Sequence, residues 1–275
     1  MTALEAAEHS ITKKFRKQIW KPFLSGIGEY GLIAPGDHIG VCISGGKDSM
    51  LMAKCLQLLQ RYSKFPFSLT YLVMDPGYNA VNRQQIEENA AFLQLPIQIF
   101  DAPIFNYVAK LEKNPCYICA RMRRGYLYRQ AKDAGCNKIA LGHHFDDVVE
   151  TILMSLFYNG EFRTMLPKLT STNWEGMELI RPMYKVKEAD IQAWRRHNNL
   201  QFIQCACRLT ENCALGDEGM GSKRHEMKAL IRKLRQTNPD VDQHIFHSVH
   251  DVNLDTIIGY HGRGGARDEA EEENS

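Results

Sequence analysis

Residues 38–62 constrain this chain more than any other stretch. "HIGVCIS" is an apolar run of strand length, "GGKDS" a turn with two adjacent glycines, and "MLMAKCLQLLQRY" a glycine-free, proline-free run that reads as a buried helix. The alternation then repeats. "FSLTYLVMD" (67–75) reads as a strand, and "VNRQQIEENAAFLQL" (81–95) as a helix with Ile86, Ala90 and Leu93 on one face. "PIQIF" (96–100) is a third strand, and "RMRRGYLYRQAKDAG" (121–135) is helical until Gly135. "NKIALGHH" (137–144) is a fourth strand, followed by helical "DDVVETILMSLFY" (146–158). Strands alternating with helices of this length predict an α/β fold, a parallel sheet flanked by helices, with small helical additions. In such sheets ligands sit beyond the carboxyl ends of the strands, where both "SGGKDS" and "GHHFDD" fall.

A chain of 275 residues that is 44% hydrophobic and 24% charged has the make-up of a globular protein. Its net charge of +2 hides an asymmetry: "DEAEEENS" (268–275) holds five acids, leaving 34 basic against 27 acidic residues before it. The excess permits a polyanionic partner, and the acidic end reads as a solvated tail. Four regions are expected: a basic helical segment (1–36), an α/β domain (37–215), a helical extension (216–262) and the tail (263–275). No stretch approaches a membrane span and the N-terminus lacks a secretory signal pattern, so a cytoplasmic protein without membrane contact is expected.

The turn at 44–49 has the physics of a phosphate holder. Gly45 and Gly46 let backbone N–H groups approach an anion, and the helix beginning near Ser49 aims its positive end there. Lys47 adds a charge, while Ser44 and Ser49 add hydroxyls. It is not a Walker loop, since Val41 stands where glycine is needed and Asp48 follows the lysine. Asp146 and Asp147 offer hard oxygen ligands for Mg²⁺, although an Asp in that place also caps helices.

The cysteines narrow the chemistry further. Cys116 and Cys119 form a C-x-x-C pair at the start of a helix, where the dipole favours thiolate. Arg121, Arg123 and Arg124 follow and offer positive charge to thiolate or phosphate. Cys205, Cys207 and Cys213 lie far downstream, and one or two of them complete either a three-cysteine cluster site or a Cys₄ zinc site. Cys42 and Cys55 read as core residues, and Cys136 carries no assignment.

"SGGKDS" after a strand resembles the PP-loop of the ATP pyrophosphatases. Together with "PCYICARMRRGYLY", "KIALGHHFDDVVETILMSLFYNGEF" and "MLPKL", it resembles the tRNA-cytidine(32) 2-sulfurtransferase (tRNA 2-thiocytidine synthetase) family, from about residue 15 to about residue 260. The resemblance implies an adenine-nucleotide α-hydrolase-like sandwich. It implies ATP bound by Ser44, Gly45, Gly46, Lys47, Asp48 and Ser49, with Asp75, Gly142 and His143 completing the nucleotide site. It places catalysis on Asp48, Asp146, Asp147, Cys116 and Cys119, with Mg²⁺ on Asp146 and Asp147. It implies a [4Fe–4S] cluster on Cys116, Cys119 and one of Cys205 or Cys207, with Cys213 as the outsider. The family's second cysteine motif is C-x-x-C, whereas this chain has C-x-C at 205–207. The reaction implied is adenylation of the C2 oxygen of a tRNA cytidine, then its replacement by sulfur. The partners implied are tRNA and a sulfur donor such as a cysteine desulfurase, and a homodimer is compatible with the family.

Three other readings stand beside this one. The first directs the same chemistry at another tRNA position or a small molecule. In the second, the cysteines build a zinc-stabilised RNA- or nucleotide-binding module without sulfur chemistry. An amide-forming ATP pyrophosphatase would leave the C-x-x-C block without a use. Lys13, Lys14, Arg16, Lys17 and Trp20 read either as phosphate contacts for tRNA or as a solvated helix face.

Overall fold

The computed structural model describes residues 2–108, 115–203, 220–261 and 267–269. Its centre is a six-stranded sheet of order β3-β2-β1-β4-β6-β5. The strands are β1 (His38–Ile43), β2 (Ser68–Asp75), β3 (Ile97–Asp101), β4 (Lys138–Ala140), β5 (Lys168–Thr170) and β6 (Glu178–Ile180). All neighbours run parallel except β5, which pairs antiparallel with β6 at the edge. The parallel sheet flanked by helices is the fold expected from the alternation.

The central strand explains the layering. In β1, Ile39, Val41 and Ile43 point to one face, and Gly40 and Cys42 to the other, as strand periodicity demands. The first face meets α3 (Lys47–Tyr62), α4 (Ala80–Phe92) and α8 (Glu188–His197) in the largest apolar cluster. The second face meets α6 (Pro115–Asp133) through Tyr128 and Ala131. Helix α6 comes so near that a Cβ on Gly40 would stand 3.1 Å from the Ala131 Cβ. A side chain at position 40 would therefore push the helix off the sheet.

Several boundaries differ from the expected ones, each for a local reason. Helix α3 begins at Lys47 rather than near Ser49, so the lysine's own N–H belongs to the first turn. The strand read from 137–144 is only Lys138–Ala140, because Leu141 to His144 turn toward α3. Leu93 lies one residue beyond α4 but is fully buried with Ile86 and Ala90.

The N-terminal segment does not stand apart from the α/β core. Helix α1 (Ala3–His9), two π-helical turns (Ser10–Lys14, Arg16–Trp20) and α2 (Lys21–Glu29) place Ile11, Ile19 and Phe23 in the main cluster. Trp194 of α8 is buried there and donates its Nε1 hydrogen to Ser10 Oγ at 3.1 Å. Lys13, Lys14, Arg16 and Lys17 stay exposed on the opposite side. Helices α5 (Ile104–Val108), α7 (Phe145–Asn159), α9 (Met220–Leu234) and α10 (Val241–Ser248) complete the fold. Within the segment read as tail, β8 (Arg267–Glu269) pairs antiparallel with β7 (Gly259–His261).

A buried ion pair holds the entry to β1 against β4. Lys138 Nζ lies 2.8 Å from Asp37 Oδ2 and 3.1 Å from Glu178 Oε2, and donates to the Leu32 carbonyl at 3.0 Å. Burial pushes both carboxyls upward, but Lys138, helped by the Ala34 N–H and Asn137 at Asp37 and by Lys168 at Glu178, more than offsets it and holds them below their ordinary values. That contribution is complete above the ordinary carboxylate range and is lost as pH falls through the lower folded values. Lys138→Met is therefore expected to destabilise by about 3–5 kcal/mol in urea unfolding, because Asp37 stays buried without its cation. The acid limb of the stability curve should also flatten in the variant; an unchanged limb would contradict this account.

Candidate active site

The chain order reverses between β1 and β4, and the turns leaving their carboxyl ends meet over the crevice between them. In the first turn, Gly45 adopts φ +81°, and a Cβ there would fall 2.6 Å from Ile86 Cγ1. Only glycine fits on both counts. Gly46 is the extended N-cap residue of α3, and no side chain caps the helix. Its first N–H groups thus present positive charge at the crevice. Ser49 Oγ donates to the Gly46 carbonyl at 3.0 Å and accepts from the Ser44 N–H at 3.1 Å, which ties the turn to itself.

The second turn crosses close above the first. A Cβ on Gly142 would lie 3.0 Å from both N and Cα of Ser49, so the two backbones touch where any side chain would separate them. Beneath this crossing opens a cavity of about 300 Å³. Ser44, Asp48, Ser49, His143 and Asp147 supply its polar end; Met74, Tyr78, Leu127 and Leu141 supply apolar walls. Such a division suits a flat heteroaromatic base joined to phosphates.

Several buried polar atoms around the cavity make no hydrogen bond within the protein. Asp48 Oδ1, Arg123 Nε and His143 Nδ1 are buried and unpaired. Buried polar groups are almost always satisfied, so three orphans around one cavity mark the place of a polar ligand. Arg123 stands over the Phe105 ring, 5.3 Å from its centroid. Burial, with Arg181 nearby, lowers the His143 imidazole to about 4, so the ring is neutral at physiological pH.

The structure separates the two aspartates that the sequence pairs. Asp147 lines the cavity; its Oδ2 accepts the His144 N–H at 3.0 Å and its Oδ1 accepts from Arg224 at 2.7 Å. It both caps α7 and faces the site. Asp146 is not among the cavity-lining residues: Oδ2 accepts the Glu188 N–H at 2.7 Å and Oδ1 pairs with Arg235 at 3.2 Å. Buried His144 sits among them, 3.9 Å from Asp48, 3.9 Å from Asp146 and 3.5 Å from Asp147.

Two further expected nucleotide residues take indirect positions. Asp75 accepts the N–H groups of Gly77 and Tyr78 at 2.8 and 2.7 Å and pairs with Arg83 at 2.9 Å. It shapes the turn that brings Tyr78 to the cavity without lining it. Lys47 reaches Asp48 at 3.1 Å and Glu188 at 3.0 Å, and faces a neighbouring cavity of about 200 Å³ on the other side of the loop.

The cysteines divide into two groups. Cys42, Cys55 and Cys136 are buried; burial pushes the Cys42 thiol up to about 12 and raises the other two. Cys116 and Cys119 lie one helical turn apart near the start of α6. Cys119 is half-buried against Met74, Ile104 and Val108. Cys119, Arg123 and Leu127 follow at four-residue steps, and the last two line the cavity, so Cys119 belongs to the stripe of α6 that borders it. The side chain of Cys116, and all of Cys205, Cys207 and Cys213, lie outside the described residues. Among the described residues no group of three metal-ligating side chains is assembled, and no helix is long and apolar enough to cross a membrane.

Sequence reading passes over Leu127, Glu188 and Arg224. The four-residue step from Cys119 signals Leu127, whereas no local pattern announces Arg224, which reaches Asp147 from 77 positions away.

Known proteins match this arrangement. The PP-loop domain family matches residues 10–209. The tRNA-cytidine(32) 2-sulfurtransferase of Paraburkholderia phymatum is 33% identical over 255 residues, covering 91% of this chain and 73% of the relative. That of Burkholderia multivorans is 33% identical over 256 residues, covering 92% and 74%. Among solved structures, the U34-tRNA thiolase NcsA from Methanococcus maripaludis with its [4Fe-4S] cluster superposes with a TM-score of 0.65 at 19% identity. That likeness covers 86% of this chain and 79% of the thiolase, and it is one of fold. With a PP-loop at the carboxyl end of β1 and this degree of identity along nearly its whole length, the chain belongs to the tRNA-cytidine(32) 2-sulfurtransferase family of PP-loop proteins.

Proposed function

We propose that this protein is an ATP-dependent tRNA thiolase that activates the C2 oxygen of a cytidine, at position 32, and replaces it with sulfur. One observation carries the reading: a cavity with apolar walls and an uncapped helix N-terminus at its polar end, bordered by the helix stripe that bears Cys119. Family membership supplies the substrate class.

ATP sits with its base against Met74, Leu127 and Leu141, and its phosphates on the turn from Ser44 to Ser49. The N–H groups opening α3 and the Ser44 and Ser49 hydroxyls hold phosphate oxygens, and Lys47 adds its charge from the far side of the loop. Asp147 and Asp48 suit Mg²⁺: both line the cavity, both offer hard oxygens, and Asp48 Oδ1 accepts no hydrogen bond from the protein. Asp146 is the weaker ligand, since it does not line the cavity and its oxygens face Glu188 and Arg235 instead.

In the activation step the cytidine C2 oxygen bonds to the α-phosphorus and the bond to the β-phosphate oxygen breaks, releasing pyrophosphate. Arg123 places a cation where charge develops on the α-phosphate. Neutral His143 offers a hydrogen bond without adding charge. Cys116 and Cys119 suit a [4Fe–4S] cluster as two thiolate donors one turn apart, with the third drawn from Cys205, Cys207 or Cys213. When bound, the cluster supplies the sulfur that displaces AMP at C2; the NcsA thiolase carries such a cluster. The exposed bases Lys13, Lys14, Arg16 and Lys17 offer phosphate contacts for tRNA.

The deciding experiment expresses the chain in a strain lacking 2-thiocytidine and measures that nucleoside by mass spectrometry of digested tRNA. Its appearance at position 32 is expected, and its absence with soluble, iron-loaded protein would sink the reading. Cys119→Ser should abolish thiolation and leave nucleotide binding intact, whereas Cys55→Ala should leave thiolation near wild type. Equal loss in both variants would mean that packing, not sulfur chemistry, is being measured. Gly142→Ala drives a methyl against the Ser49 backbone, so ATP-dependent pyrophosphate release should fall about 100-fold with circular dichroism unchanged.

A further inference from the structure

The PP-loop domain match ends at residue 209, yet Arg224 from beyond it pairs with Asp147, which lines the cavity. Helix α9 packs Met227 and Ile231 into an apolar cluster with Phe145, Val148 and Ile152 of α7. That contact turns Arg224 and Lys228, one helical turn apart, toward a row of acids. Arg224 Nη1 lies 2.7 Å from Asp147 Oδ1 and 3.2 Å from Glu150 Oε2. Lys228 Nζ lies 3.6 Å from Glu150 Oε1 and 3.3 Å from Glu188 Oε2. Glu188 Oε1 pairs with Lys47 at 3.0 Å, and Lys47 pairs with Asp48 at 3.1 Å. Positive and negative groups thus alternate without a break from Asp147 to Asp48, and both ends of the row line the cavity.

Exposed ion pairs taken singly contribute little. The middle of this row is different: the Glu150 side chain is only 2% exposed, and burial pushes its carboxyl up to about 7 although Lys228 and Arg224 pull it down, so its charge depends on those two cations. Without Arg224, Asp147 would keep the His144 N–H but lose the charge that separates it from Glu150 one turn along α7. Without Lys228, Glu188 would hold Lys47 undivided and draw it away from the loop. Both changes act on nucleotide binding, although neither cation lines the cavity.

We propose that Arg224 and Lys228 are positioning residues for ATP. Arg224 orients Asp147, and Lys228 sets Lys47 through Glu188, so a helix outside the PP-loop domain adjusts both ends of the nucleotide site. The inference rests on the reading of the cavity as an ATP site.

The test measures binding of α,β-methylene-ATP with Mg²⁺ to the full chain by isothermal titration calorimetry, so no turnover is needed. Arg224→Gln is expected to weaken binding about tenfold or more, Lys228→Gln about three- to tenfold, and Arg224→Lys least of all. Ile231→Ala loosens the same helix without touching a charge; it should lower the melting temperature while leaving affinity near wild type. Should Arg224→Gln not fold, Lys228→Gln and Arg224→Lys decide. Binding within about twofold of wild type in the charge variants would overturn the proposal, as would an equal loss in folded Ile231→Ala. Absence of binding by the wild-type protein would overturn the ATP reading itself, and the proposal with it.

Discussion

The site depends on one backbone contact, the passage of Gly142 over the first turn of α3. A Cβ at this point would stand 3.0 Å from Ser49 N, inside the distance that real side chains keep. The contact exists because β1 and β4 are neighbours, with Val41 opposite Ala140, although about a hundred residues separate them in the chain. At such a reversal of strand order the connecting segments diverge and leave a crevice. Here two glycine turns close the crevice from above, so it becomes a cavity with one polar end. Phosphate-binding geometry is therefore a consequence of sheet order as much as of the loop's own residues.

The same crossing explains the unequal fates of neighbouring aspartates. Helix α7 starts immediately after the Gly142 turn, and consecutive helical positions point about 100° apart. Asp147 faces the cavity; Asp146 faces α8 and takes its opening N–H. A doublet that looks like a bidentate metal site in one dimension becomes one site residue and one fastening between helices. Asp75 makes a similar point. It ends β2 where a ligand contact is expected, yet Oδ1 builds the Tyr78 turn and Oδ2 pairs with Arg83. The sequence marks where carboxylates stand along the chain, not which backbone N–H groups reach them first.

Legibility followed the range of the interactions. The β1–turn–α3 unit was readable because strand, glycine pair and helix are adjacent and each has its own local cause. The Cys119–Arg123–Leu127 stripe was readable from helical spacing once one member was suspected. Strands β5 and β6 are three residues each, too short for any period to register. The N-terminal segment was misleading for another reason. Its lysines and arginines dominate the composition, while Ile11, Ile19 and Phe23, spaced by two π-helical turns, carry its packing. The alternating charges that join α9 to the phosphate loop leave no local trace, because every link spans separate elements except the Lys47–Asp48 pair.

The cysteines show why proximity alone does not define chemistry. Cys42 forms part of the cavity wall, the one thiol among the described residues that lines it. Its surroundings are the buried sheet face, and burial with Cys136 beside it holds it as a thiol up to about 12. A protonated, enclosed thiol is a poor nucleophile and a poor metal ligand. Cys119 is less enclosed, stands near the start of α6, and has Arg123 one turn ahead on the same stripe. A helix N-terminus and a following cation both favour thiolate. Of the two thiols, Cys119 is thus the one whose surroundings favour the thiolate that the proposed sulfur chemistry requires.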